Sequence, residues 1–446
     1  MLSEKSGSRL HRISLFGPGN HSKLMADNSK SFRLGFAVRA LRHRNYRLFF
    51  GGQSLSLIGT WMTQVASSWL VYRLTNSALL LGLVSFSGQI PALLLTPFAG
   101  VWVDRWDRRT VLKVTQCLAM LQSFGLAVLV LSGHVNIWHI LVLAMFQGVV
   151  NAFDMPARQA FVVEMIEDRA DLPNAIALNS SMMNGARLIG PSIAGAVIAY
   201  AGEGYCFLID GVSYIAVIAS LALMNTKPGE AKVPENLFSE LKAGWRYIMG
   251  YDPIRSILGL IAFISLVGLP YTVLLPVFAD VILHGGPHTF GFLTGATGLG
   301  AFISAVVLAM RKSIVGLGKR MAITSLTFGA ALIAFAFSQV FWLSMVLMLL
   351  VGFSMMQVIA SGNTILQTIV DEDKRGRVMS FYTLAFIGAA PIGSLLAGAL
   401  ANQVGAVPTV IVCGLLCIIA SLWFFGRLEN IRRIVRPLYV ERGILP

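Results

Sequence analysis

The sequence predicts an all-α membrane protein with twelve transmembrane helices in two pseudo-symmetric six-helix halves. Three observations carry that expectation: an apolar composition with little charge, twelve apolar runs parted by charged gaps, and an internal repeat at an offset of 203 residues. Of the 446 residues, 56% are apolar and only 13% charged. A soluble domain carries about 25% charge. The apolar runs fall at 46–74, 78–101, 108–132, 136–158, 174–201, 203–225, 254–283, 288–311, 319–338, 341–367, 376–403 and 405–427. About 20 residues of helix cross a bilayer core, so each run is long enough to span.

The net charge of +14 is dispersed through the gaps rather than gathered on one folded domain, which argues against a nucleic-acid partner. Gaps near 73–77, 133–135, 202, 284–287, 339–340 and 404 hold one basic residue, Arg73. The opposite gaps and the tails hold most of the rest, including Arg311, Lys312, Lys319, Arg320, Lys374, Arg375, Arg377, Arg432, Arg433 and Arg436. Lys and Arg accumulate in cytoplasmic loops, so both termini are expected in the cytoplasm.

Residues 1–45 hold nine basic residues against two acids and no apolar stretch of the signal-peptide kind. They read as a mostly disordered basic arm able to touch anionic lipid. The first six-helix half is 46–225 and the second 254–427, with a linker at 226–253 and a basic tail at 428–446. In the linker, Phe238, Leu241, Trp245 and Ile248 recur at helical spacing, which predicts a short interfacial helix.

The 203-residue shift lays Ile166 on Ile369 and Asp168 on Asp371. It also lays Ile189, Gly190, Ala194, Gly195 and Ala196 on Ile392, Gly393, Ala397, Gly398 and Ala399. One offset thus serves a loop and a helix core, as a parallel six-helix duplication requires.

Between the second and third runs, GVWVDRWDRRTVL (100–112) packs Asp104, Arg105, Asp107, Arg108 and Arg109 into six positions. These charges cannot enter hydrocarbon cheaply, so the segment is a turn on one membrane face. Gly100, Asp104, Arg105, Arg108, Arg109 and Leu112 resemble the loop signature of the major facilitator superfamily, with Asp107 where many members have Gly. A clamp that only fixes topology would have the same charges.

The resemblance extends over about 41–427. Within the superfamily, NAFDMPARQAFV (151–162), LPNAIALNSSMMNGARLIGPSIAG (172–195), FSELKAGWRYI (238–248) and RGRVMS (375–380) are similar to the branch of enterobactin-type siderophore exporters and macrolide-efflux proteins. It implies a bacterial cytoplasmic-membrane transporter, functional as a monomer, that exports an amphipathic small molecule by alternating access and proton antiport. It also implies that Asp104 braces the start of the eleventh span, that Arg108 pairs with Asp154, and that the first and tenth spans surround the pathway. Lysophospholipid-like import or flipping on the same fold, and a non-transporting sensor or scaffold, are the rival readings.

Polar residues inside spans mark faces that avoid lipid. Gln53, Ser56, Thr60, Thr63 and Ser67 form one stripe; Gln147, Asn151, Asp154 and Arg158 a second. Ser180, Asn184 and Arg187 form a third, and Gln357, Ser361, Thr364 and Thr368 a fourth. They line a polar substrate cavity or bond helices together. Arg187 and Asp210 lie deep in neighbouring spans, and an isolated charge there costs at least about 2.5–3.5 kcal/mol. Their pairing is therefore expected, either as a static ion pair or as one broken by proton or substrate. Direct contact of Arg187 with an anionic substrate is the third option.

The 203 shift turns Asp154 and Arg158 into Gln357 and Ser361, so interior charge is concentrated in the first half. Gly190, Pro191, Pro91, Pro97, Pro391 and Gly393 punctuate spans without marking any one hinge. Cys117, Cys206, Cys413 and Cys417 lie in apolar runs and read as packing residues. His284 and His288, flanking Gly-Gly-Pro, read as an outer loop rather than a metal site. No phosphate-binding loop, nucleophile–base set or zinc spacing is present, so neither an enzyme, a cofactor nor ATP-driven pumping is expected.

Overall fold

The computed structural model describes residues 38–103, 105–225, 237–311 and 313–442. Asp104, most of the N-terminal arm and the first part of the linker lie outside the described residues. The elements are α1 Arg44–Thr75, α2 Ala78–Val103, α3 Arg108–Leu131, α4 Ile137–Glu164, α5 Leu172–Ala201, α6 Glu203–Leu223, α7 Leu237–Gly250, α8 Asp252–Val267, α9 Tyr271–Val277, α10 Gly286–Ala309, α11 Leu317–Phe337, α12 Phe341–Ile369, α13 Glu372–Thr383, α14 Ala389–Val404 and α15 Ala406–Glu441. Among the described residues, ten segments are long and apolar enough to cross a membrane. Helices α1 and α5 run 32 and 30 residues but carry the polar stripes noted above.

Exposed aromatic residues ring both ends. Trp138, Tyr200 and Trp342 lie at the charge-poor end, and Trp102, Trp106, Trp245 and Trp423 at the charge-rich end. Amphipathic rings collect at the two membrane–water interfaces. The chain is a multi-pass membrane protein.

Two expected spans are interrupted. The run at 254–283 is α8, a break at Gly268–Pro270, α9, and a π-helical turn Phe278–Ile282. Pro270 lacks an N–H and so leaves the Leu266 carbonyl, four residues earlier, without its helical partner. That carbonyl faces Gly393 of α14, where an added Cβ would stand 1.9 Å from the oxygen. The run at 376–403 likewise contains a π-helical turn, Leu384–Gly388, before Pro391. Ser265 of α8 donates to the Phe386 carbonyl inside that turn. The two interrupted helices therefore meet break against break.

The repeat is visible in backbone geometry. Gly202 and Gly405, 203 residues apart, turn their chains at φ +90° and +93°. With ψ near 170° this region is essentially restricted to glycine. A Cβ on Gly291 would stand 2.5 Å from the Pro191 carbonyl and 2.8 Å from the Gly195 Cα. A Cβ on Gly82 would stand 2.5 Å from the Ser394 carbonyl and 3.2 Å from the Gly398 Cα. Pro191 and Gly195 become Ser394 and Gly398 under the same shift. The α5 and α14 sides of these contacts are thus equivalent under the shift, while the glycines they meet, Gly291 and Gly82, are 209 residues apart.

The first described residues of the arm are held, contrary to the expected disorder of 1–45 over this part. A 3-10 turn Arg39–Arg42 docks on the start of α5, where Asp171 accepts from Arg39 and His43. Tyr46 donates to the Ala175 carbonyl at 2.8 Å. The tail also departs from its expected boundary, because α15 continues to Glu441. Arg427 and Asn430 bond Asp252 at 3.0 and 2.9 Å, and Arg442 approaches Asp371 at 3.6 Å. A helix forms over the linker as α7, with Ile248 buried and Trp245 exposed, its ring 6.0 Å from Phe381. His288 lies in the first turn of α10 rather than in a loop, and no metal-holding group occurs among the described residues.

A buried centre and a one-ended cleft

Helix α1 is the element around which the polar centre is built. Gly52 and Gly59 give one of its faces close approach to α6, and an added Cβ on Gly59 would stand 2.7 Å from Asp210 Oδ1. On an adjoining face Ile58 and Trp61 receive Gly190 of α5. Asp210 is 1% exposed. Its Oδ2 accepts from Thr63 Oγ1 and Ser123 Oγ, each at 2.8 Å, and its Oδ1 has no hydrogen-bond partner.

Arg187 does not pair with Asp210, which corrects the sequence expectation. Adjacent spans need not turn their charges toward each other. Here α1 packs against both helices: Asp210 meets its Gly59–Thr63 face, and Arg187 sits with its Cζ 5.6 Å from the Trp61 ring centroid.

Asp154, 3% exposed, is held by α3: Thr115 Oγ1 at 2.9 Å and Gln116 Nε2 at 2.7 Å donate to Oδ1. Arg158, one turn on, donates to Oδ2. The implied Arg108–Asp154 pair is replaced by Arg108–Glu164 at 2.5 Å. Glu164 closes the last turn of α4 and stands nearer the start of α3 than Asp154 does. Arg109 donates to the Leu221 and Ala222 carbonyls at 2.7 and 2.8 Å, a cation at the C-terminus of α6. Asp107 caps α3 through the Thr110 N–H at 3.0 Å, which gives this aspartate its own structural role. Arg105 is exposed, and Gly100 has open space around it.

Several residues of the expected cavity are instead sealed between helices. Gln53, Ser56, Gln357 and Ser361 are all buried, and Gln357 donates to the Ser304 carbonyl of α10 at 3.1 Å. Thr60 and Thr364 return their hydroxyls to their own helices. Gln147 donates to Asn151 at 3.1 Å and Asn184 to the Ser180 carbonyl at 2.8 Å; these three lie on less buried faces. The sequence reading missed Ser123, Thr115, Gln116 and Glu164. The first three form a buried polar face on α3 with Gln122, a period that was present in the sequence.

The contact between helices 44–223 and helices 252–441 is one-ended. At the charge-poor end Gly195 meets Gly291 and Gly82 meets Gly398, Trp69 stacks on Phe290 at 6.3 Å, and Tyr72 donates to Asp280 at 2.9 Å. One apolar core joins both groups there, whereas Tyr46, Phe49, Leu112 and Phe161 form a separate cluster at the charge-rich end. The close α5–α10 approach runs as far as Arg187, whose carbonyl would lie 2.6 Å from a Cβ on Gly298. Beyond it Ala177, Ser180 and Ser181 of α5 and Phe302 and Val306 of α10 are exposed. The helices close one end of a cleft and part at the other. A further cleft of about 720 Å³, lined by Lys319, Arg432, Arg433 and Arg436, lies away from this centre beside the end of α15.

Residues 36–433 match the family model described as transmembrane secretion effector. The chain is 28% identical over 386 residues to the staphyloferrin A transporter of Staphylococcus aureus, covering 85% of this chain and 96% of that protein. It is 27% identical to the multidrug efflux pump Tap of Mycolicibacterium fortuitum, over 78% and 87% of the two chains. It is 22% identical to macrolide efflux protein A of Streptococcus pyogenes, over 82% and 92%. Among solved structures, the nucleoside transporter NupG aligns with TM-score 0.65 at 13% identity, over 87% and 99% of the chains, a likeness of fold. A bacterial homolog of the human lysosomal transporter Spinster aligns with TM-score 0.63 at 14% identity, over 89% and 98%. The chain belongs to the transmembrane secretion effector family of the major facilitator superfamily, and is a transporter rather than an enzyme.

Proposed function

We propose that this protein is a secondary transporter of the bacterial cytoplasmic membrane, exporting an amphipathic small molecule by alternating access coupled to inward proton movement. The observation that carries this reading is the one-ended cleft. Two six-helix halves, 46–225 and 254–427, rock about the glycine contacts, and the positive charge of the parted end supports a cytoplasmic position for it and for both termini. The structure then corresponds to the inward-open state. The names of the relatives, a siderophore transporter and efflux pumps, support outward movement of an amphiphile.

Asp210 is the coupling group in this reading. It exchanges a proton without first breaking an ion pair, and its hydroxyl donors on α1 and α3 connect its charge to the packing of two neighbouring helices. Antiport requires proton and substrate to favour opposite states of the carrier. Asp154 with Arg158, and Arg108 with Glu164, brace the cytoplasmic end of the first half.

The test is a proton-movement assay in proteoliposomes with an imposed pH gradient, screening siderophores, macrolides and dyes against wild type and Asp210→Asn. Substrate-dependent proton movement in wild type and its loss in Asp210→Asn are expected. Coupled movement that survives in Asp210→Asn would transfer coupling to Asp154. No substrate-dependent movement of any kind would contradict the antiport reading.

A further inference from the structure

We infer that Arg187 forms an oxyanion-binding subsite at the apex of the cleft, so that the exported molecule carries a carboxylate or comparable anionic group on an apolar scaffold. This rests on the transport reading and specifies its substrate.

Arg187 is 15 residues from the start of α5 and 14 from its end, so it lies about 21–22 Å from each at 1.5 Å per residue. That is mid-helix and mid-membrane. It is also where the close α5–α10 contact ends and the exposed faces begin, on the boundary between the two halves.

The guanidinium also lacks a counter-charge. Among the described residues, no acid lies within ion-pairing distance of the guanidinium, and no side-chain or backbone oxygen accepts a hydrogen bond from it. Asp210 is bonded elsewhere, to Thr63 and Ser123. The Trp61 face at 5.6 Å offers cation–π attraction, but it leaves every guanidinium N–H free. An unpaired charge at this depth is costly and functional by default. The guanidinium is a planar fork matched to a carboxylate or phosphate oxygen pair.

Tyr271 of α9 is buried, near enough to Arg187 for the two side chains to interact electrostatically, and its hydroxyl has no partner; neighbouring Thr297 gives its own hydroxyl to the Thr294 carbonyl at 2.6 Å. Tyr271 thus provides a second donor from the opposite half. Trp61 gives an aromatic wall, and Ser180, Ser181 and Asn184 lie on α5 toward the parted end. An anionic headgroup meets the cation and the phenol while its scaffold lies along the aromatic and apolar faces below. Binding here bridges α5 and α9, one helix from each half.

The experiment uses the full chain in proteoliposomes, with 5-carboxyfluorescein as the anionic probe and ethidium as the cationic one. Wild type, Arg187→Gln and Arg187→Lys are compared, and thermal unfolding in detergent checks their folding. Carboxyfluorescein flux is expected in wild type, with at least about a tenfold loss in Arg187→Gln, since a hydrogen bond to a charged group carries roughly that factor. Arg187→Lys should recover part of it, and Arg187→Gln should leave ethidium flux unreduced. Undiminished anion flux in Arg187→Gln, or equal loss of both probes, would overturn the subsite. Wild-type transport of ethidium alone would overturn it while leaving export standing, whereas transport of neither probe would count against the export reading itself.

Discussion

At the charge-poor end, Gly195 meets Gly291 and Gly82 meets Gly398, backbone to backbone across the two halves. At the charge-rich end α5 and α10 are parted, and the ion pairs named there each stay within one group of helices: Asp171 with Arg39 and Arg42, Arg108 with Glu164, Asp252 with Arg427. Glycine contacts gain dispersion energy only at short range, so they make or break over a small rotation. Under the proposed rocking, ion pairs confined to one group of helices would not resist the rotation and would keep that group rigid. On that proposal the joint lies between the two groups of helices and the stiffening within each.

The largest expected effect comes from removing the joint. Gly291→Val places a side chain against the Pro191 carbonyl, and overpacking of this kind costs about 1–3 kcal/mol. Transport should fall by more than about tenfold, and a cysteine placed at Ala78 should label faster with a membrane-impermeant maleimide. Unchanged labelling and flux would show that this contact does not close the charge-poor end.

Next comes the stiffening. Arg108→Gln and Glu164→Gln should each destabilise the protein by about 1.5–3 kcal/mol, the range for a hydrogen bond to a charged group. The double substitution should cost little more than either single one, because the first already removes the pair. Additive losses in thermal unfolding would separate the two residues.

The sequence exposed some of this and hid the rest. Hydropathy marked the spans, because a lipid-facing helix must be apolar along its length whatever it packs against. The 203-residue shift pointed to Gly195 and Gly398, although their identical contacts emerge only in three dimensions. The breaks before α9 and α14 were hidden, since Pro270 and Pro391 are compatible with a continuous kinked helix. The Arg187–Asp210 expectation failed because chain adjacency says nothing about which helix packs between two side chains; the glycines of α1 decided it. Ser123 and Glu164 were passed over because a serine and a helix-end acid look ordinary until a buried partner faces them.

A smaller effect concerns pH at the charge-rich end. Burial pushes the Asp171 carboxyl upward, but hydrogen bonds from His43 and Arg39 and the charges of Arg39 and Arg42 outweigh it and hold the group below the usual carboxylate range. Its stabilisation of the docked 38–43 segment is therefore present above the unfolded carboxyl value of about 3.9. It is lost as pH falls through the depressed folded value. At neutral pH, Asp171→Asn should make cleavage by trypsin after Arg39 or Arg42 faster than in wild type, and identical digestion rates would remove Asp171 as the anchor. The smallest effect should come from Asp252→Asn, which loosens the end of α15 and should raise hydrogen exchange over 430–441 with little change in flux.

The rocking joint is tested most directly by double electron–electron resonance on two spin-label pairs in lipid nanodiscs. One pair, at Ile176 and Val306, spans the parted end, and the other, at Asn76 and Gln403, spans the closed end. Adding a transported compound or changing pH should shorten the first distance and lengthen the second together, as rigid halves turning about the glycine contacts require. Two distances that stay fixed under every condition that supports transport, or that change independently of each other, would contradict it.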